Sequence, residues 1–78
     1  MNQPSETLLD VRGLACPLPV LRAKKTLKTL DIGALLRIEA TDPNSVKDMA
    51  AFCKQTGNEL VDSSAADGVY IFLIKRTA

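Results

Sequence analysis

The chain has 78 residues, of which 46% are apolar and 24% charged, with a net charge of +1 at neutral pH. At that length a single domain, 1-78, is expected, with no room for a second within it. A core of this size supplies only about 3 to 5 kcal/mol, and the composition is that of a folded chain, not a disordered one. The near-neutral charge gives no global drive toward nucleic acid or a membrane surface.

Met1 to Thr7 is short, polar and without the apolar stretch of a signal peptide, so residues 1-7 are expected to form a loose N-terminal segment. No apolar run approaches the ~18 residues of a membrane span. A cytoplasmic location is expected, and in that reducing compartment both cysteines, Cys16 and Cys53, should be free thiols. The chain has no histidine, which removes Cys-His nucleophile pairs and histidine acid-base chemistry. With no Cys-x-x-Cys and no cluster of ligand-type residues, neither a metal site nor a cofactor is expected.

Leu8 to Val11 read as a short apolar strand, turned by Arg12 and Gly13 toward Cys16-Pro17-Leu18-Pro19. A helix follows through Leu30, with Val20, Ala23, Leu27 and Leu30 at spacings of 3, 4 and 3 on its inward face. Cys16 therefore falls at or beside a helix N-cap. Pro17 suits the first helical position, where its missing N–H would have no intrahelical partner. The positive end of the helix dipole favours thiolate there. The plain alternative is that Cys16 is a small buried hydrophobe.

Leu18 points roughly opposite the apolar stripe, and beside a reactive thiol it would suit a partner's apolar pocket. Arg22, Lys24, Lys25 and Lys28 give the helix four cations and no acid. This run reads either as a solvated face or, through Arg22 and Lys25, as a docking surface for an acidic partner. Without interleaved aromatics it is a weak nucleic-acid signal.

Asp31-Ile32-Gly33 should end the helix, with Gly33 near the C-cap. Leu35 to Thr41 alternates as a half-buried strand, with Leu36, Ile38 and Ala40 inward. The Thr41-Asp42-Pro43-Asn44 run offers capping oxygens for a second helix. Its stripe is expected to be Val46, Met49, Ala50 and Cys53, which makes Cys53 a core residue; the alternative is a resolving thiol for Cys16.

Gly57 ends that helix, and Leu60, Val61 and Asp62 begin a strand. Asp67-Gly68 marks a tight hairpin into the apolar stretch Val69 to Lys75, which reads as an interior strand. The order βαβαββ with right-handed crossovers predicts an α+β fold: a two-layer sandwich of a four-stranded mixed sheet with two helices on one face.

The passage from Arg12-Gly13-Leu14-Ala15 through Cys16-Pro17-Leu18-Pro19-Val20 resembles the Cys-Pro-x-Pro signature of the TusA-type sulfur carriers, also called the SirA-like family. The resemblance runs from about Leu8 to Arg76 and takes in Lys24-Lys25-Thr26, Thr41-Asp42-Pro43 and Phe52-Cys53. It implies a carrier that takes sulfane sulfur from a cysteine desulfurase as a persulfide on Cys16 and passes it to a downstream sulfur-relay protein. In one branch of the family the sulfur ends in 2-thiouridine of tRNA; others serve cofactor synthesis or sulfur metabolism. Pro17 and Pro19 would shape the start of the helix. Leu18 stands where many tRNA-pathway carriers have an acidic residue.

A persulfide anion on Cys16 would gain from the helix N-terminus and from Arg12 or Arg22, while too much stabilisation would make it a poor nucleophile. The protein is then a sulfurtransferase-type carrier, not a free-standing catalyst. It would be a monomer when free, with no direct nucleic-acid contact and no membrane. Two other readings stay open: a nucleic-acid-binding or regulatory module using the basic first helix, and a thiol-disulfide protein pairing Cys16 with Cys53.

Overall fold

The computed structural model describes residues 6–78 in the order β1 (Glu6–Val11), α1 (Leu18–Leu27), β2 (Leu35–Ala40), α2 (Ser45–Thr56), β3 (Glu59–Ala66) and β4 (Val69–Lys75). The strands form one mixed sheet in the spatial order β1-β2-β4-β3. β1 runs parallel to β2, and β4 runs antiparallel to both β2 and β3. The expected α+β, βαβαββ arrangement is the one observed. Of the segment expected to be loose, residues 1–5 lie outside the described residues, whereas Glu6 and Thr7 open β1.

The alternation of β2 decides which face of the sheet carries the helices. Leu36, Ile38 and Ala40 are fully buried, whereas Arg37 is exposed. A slip of one residue would reverse all of them, so the register is strongly specified. On the inward face Ile38 lies opposite Phe72 and Leu36 opposite Ile74. Val11, Ala23, Leu27, Met49, Phe52 and Cys53 complete the core cluster. Each large side chain buried there contributes about 1.5–3 kcal/mol before chain entropy is counted. β4 is interior, as its continuous apolar run predicts.

α1 starts two residues before Val20 because Pro17 is the N-cap and Leu18 the first helical residue, which corrects the assignment of Pro17 to that position. Pro19, buried at the second helical position, is tolerated because its missing N–H would have had no intrahelical acceptor. The inward stripe is the expected one: Ala23 and Leu27 are buried, and Val20 and Leu30 pack against the core. The helix closes at Lys28 and tightens through three-residue bonds, Thr29 N–H to the Thr26 carbonyl and Leu30 N–H to the Leu27 carbonyl. Gly33 is therefore not a C-cap; it sits in the turn before β2.

The inward face of α2 is rotated from the expected stripe. Ser45, Met49, Phe52 and Cys53 are buried, while Val46 is 42% exposed and Ala50 is exposed. Two causes explain this. Ser45 is fixed by its N–H and Oγ, both donating to the Asp42 carbonyl at 2.9 and 2.6 Å. Phe52 also has far more apolar surface to remove from water than Val46 or Ala50.

Gly57 ends α2 as expected. β3 is longer than its apolar start suggests. It is an exposed edge strand held by its pairing with β4, with an irregularity between Leu60 and Asp62. Asp67 and Gly68 both take positive φ, +53° and +79°, as a two-residue hairpin turn requires. No helix among the described residues is long and apolar enough to cross a membrane.

Candidate functional site at Cys16

Because β1 and β2 are parallel, with Val11 opposite Ala40, the loops that follow them leave the same end of the sheet. They are tied to each other there. Gly13 N–H donates to Thr41 Oγ1 at 2.9 Å, and Cys16 N–H donates to a carboxylate oxygen of Asp42 at 2.7 Å. The other Asp42 carboxylate oxygen accepts the Asn44 N–H at 3.0 Å. The run expected to cap α2 thus commits two of its side chains to the neighbouring loop, and the N-cap residue Asn44 makes no side-chain capping bond.

Gly13 has φ +82°, a left-handed conformation that glycine adopts without strain and that lets the chain reverse into the Cys16 loop. The Cys16–Pro17 peptide is cis.

Cys16 is exposed and unpaired, whereas Cys53 is buried in the core and also free, and burial pushes its thiol pKa up. A hollow of about 250 Å³ opens beside Cys16 between the start of α1 and the outer side of α2. Pro17, Val20, Ala51 and Phe52 line it, with Asp48 and Gln55.

The Asp48 carboxylate faces the thiol as a hydrogen-bond acceptor and pushes its pKa above the ordinary range. Partial removal from water and the negative charges of Asp48 and Asp42 act in the same direction. The expectation of a thiolate-favouring helix start is therefore corrected. Pro17 and Pro19 have no N–H, the Leu18 N–H is taken by the Ala15 carbonyl at 2.9 Å, and the nearest charges are negative.

The other residues singled out from the sequence lie around this corner. The Arg12 guanidinium holds the Asp10 carboxylate through two bonds of 2.9 Å, and the Arg12 N–H adds a third at 3.0 Å. These bonds lower the Asp10 pKa to about 2. Leu18 is 45% exposed. Arg22 and Lys25 border a separate hollow with Leu9, Thr26 and Thr29, so they do not share the recess beside Cys16. Lys24, Lys28 and Arg76 surround a further one, of about 290 Å³, floored by Leu27 and Phe52.

Two contributors were missed in the sequence. Asp42 was legible only as a cap, and Asp48 carries no local signal, because its meeting with Cys16 depends on how the helices lie on the sheet.

A family model described as Sulfurtransferase TusA matches residues 7–76. The sulfur carrier protein TusA of Allochromatium vinosum is 58% identical over 69 residues, covering 88% of this chain and 91% of that protein. The protein of the same name from Pseudomonas paraeruginosa is 37% identical over 78 residues, covering 100% of this chain and 99% of that one. The crystal structure of a SirA-like protein from Desulfitobacterium hafniense matches with a TM-score of 0.82 at 26% identity, covering 92% of this chain and 99% of that chain. An exposed cysteine ahead of a proline-flanked helix, on this sheet order and at these identities, leads to one assignment: the chain belongs to the TusA family.

Proposed function

We propose that the chain is a sulfur carrier. Cys16 accepts sulfane sulfur from a cysteine desulfurase as a persulfide and relays it to a cysteine of a downstream protein, toward 2-thiouridine in tRNA or another sulfur-trafficking pathway. The observation that supports this reading most is the exposed Cys16 thiol at the end of the sheet where two loops are tied together, in a chain of the TusA family.

In the loading step the Cys16 thiolate attacks the outer sulfur of the donor's persulfide. A new S–S bond forms on Cys16, the donor's S–S bond breaks, and the donor cysteine leaves as a thiolate. Unloading repeats the exchange with Cys16 as leaving group. Sulfur moves between equivalent bonds with no net redox change, so this chain needs no cofactor for it and turns nothing over alone.

Gly13, Pro17 and Pro19 shape the loop that presents the sulfur, and Arg12 keeps the end of β1 in order through Asp10. Leu18 with Arg22 and Lys25 offers partners an apolar and basic flank. The carrier works in the cytoplasm as a monomer between encounters.

Incubation with a desulfurase, cysteine and pyridoxal phosphate should add ~32 Da, one persulfide sulfur, to the wild-type chain and nothing to Cys16→Ser. Loading that persists in Cys16→Ser, or a wild-type chain that stays unmodified, would reject the proposal.

A further inference from the structure

The hollow beside Cys16 is apolar on its walls and acidic at its edge. Pro17, Val20, Ala51 and Phe52 supply the apolar walls, and Asp48 and Gln55 line it with Cys16. Two acids face the thiol: Asp48 from α2 and Asp42 from the loop before it. Their situations differ. Both oxygens of Asp42 accept backbone N–H groups, whereas among the described residues Asp48 has no ion-pair partner and lines the recess together with the thiol. At about 250 Å³ the recess is below the ordinary range for small-molecule and cofactor pockets. Its scale suits one or two side chains.

We propose that this hollow seats a segment of a partner protein in which an apolar side chain lies next to a lysine or arginine, and that the basic group, by engaging Asp48, frees the Cys16 sulfur to react. The inference rests on Cys16 being the transfer site. Charge complementarity selects the occupant, because Asp48 lines the recess with Cys16 and has no ion-pair partner among the described residues, so an acidic segment would be repelled there and a purely apolar one would leave the carboxylate uncompensated. A cation at Asp48 both removes the acceptor and lowers the cost of a negative sulfur. The carrier then reacts slowly with stray electrophiles and faster when a basic partner arrives. The same charge balance acts on the persulfide, which Asp48 repels until a partner's cation covers the carboxylate.

Short peptides carrying a cysteine activated as a thiopyridyl disulfide test this without any enzyme. The Cys16 sulfur bonds to the peptide sulfur, the S–S bond to the thiopyridyl breaks, and pyridine-2-thione departs with the proton, read by its absorbance. A peptide with Leu-Arg beside its cysteine should react with the wild-type chain at least about tenfold faster than one with Leu-Glu. An Ala-Arg peptide should be several-fold slower than Leu-Arg.

In Asp48→Asn the difference between the Arg and Glu peptides should shrink to a small remainder, and alkylation of Cys16 by iodoacetamide should become several-fold faster at neutral pH. Raising the ionic strength should shrink the difference in the wild-type chain as well, a readout that needs no substitution to fold.

An Arg preference that is absent in the wild-type chain or unchanged in Asp48→Asn overturns the proposal. So does an unaltered alkylation rate, or an Ala-Arg peptide as fast as Leu-Arg. Peptide selectivity that holds while desulfurase loading fails would instead reject the sulfur-carrier reading alone.

Discussion

The backbone N–H of Cys16 donates to the Asp42 carboxylate at 2.7 Å, joining two residues 26 positions apart. One carboxylate thereby fixes the loop that carries the thiol and, through the Asn44 N–H, the entry into α2. Asp42→Ala should cost about 1–3 kcal/mol, since its carboxylate accepts two backbone N–H groups and bonds to a charged acceptor are the stronger kind. Against a small domain's reserve that is a large fraction. Urea unfolding should show the midpoint falling, with Asp42→Asn intermediate, and sulfur loading should slow even where the chain remains folded.

Gly13 separates conformational from steric cost. A Cβ added there would meet nothing within 4 Å, yet φ is +82°. Gly13→Ala should therefore destabilise by about 1 kcal/mol through backbone strain alone. Thr41→Ser, which keeps the acceptor for the Gly13 N–H, should be nearly silent, while Thr41→Val should lose about 0.5–1.5 kcal/mol. Thermal melts of the three variants give the comparison directly.

The Arg12 pair makes a pH prediction of definite sign. Bonds from the Arg12 side chain, then from its backbone, lower the Asp10 pKa from 3.8 to about 2 in the folded chain. A depressed carboxyl stabilises the fold above its unfolded pKa and loses that contribution as pH falls through the folded one. The pair's share should be intact at pH 5 and disappear between pH 4 and about 2. Asp10→Asn should lack that part of the acid transition in urea midpoints taken across the window. Both side chains are exposed, so the effect is small.

Cys53 should be silent in transfer. It is 4% exposed, in contact with the core, and burial raises its thiol pKa. Cys53→Ala should keep a loading stoichiometry of one sulfur per chain and cost about 1 kcal/mol. Under native conditions a thiol reagent should count one reactive cysteine, and a second only after unfolding. Two thiols lost together on mild oxidation would favour the disulfide alternative instead.

The layered plan of the fold was legible because local pattern controlled it. The alternation of Leu36, Ile38 and Ala40, the apolar run of β4 and the Ala23-Leu27 stripe each follow from a single element's pattern, and the Asp67-Gly68 turn from a residue pair suited to positive φ. The phase of α2 did not, because Ser45 is buried by its bonds to the Asp42 carbonyl, and a polar residue at that position gives no inward signal. The extent of β3 was hidden for a related reason: Ser63, Ser64 and Ala65 form a strand because β4 lies beside them. At the site, Cys16 could be read from its motif. The two carboxylates that raise its pKa could not, since Asp42 and Asp48 belong to the second crossover and meet the Cys16 loop only in the folded chain.

Glu6 and Lys75 both pair with Leu35, at the far end of the sheet from Val11 and Ala40. The first and last strands therefore have their outer ends together, on the side away from Cys16. A surface tether or a fused module attached through either of those strands would hold the molecule by its base, with the sulfur pointing outward and unobstructed.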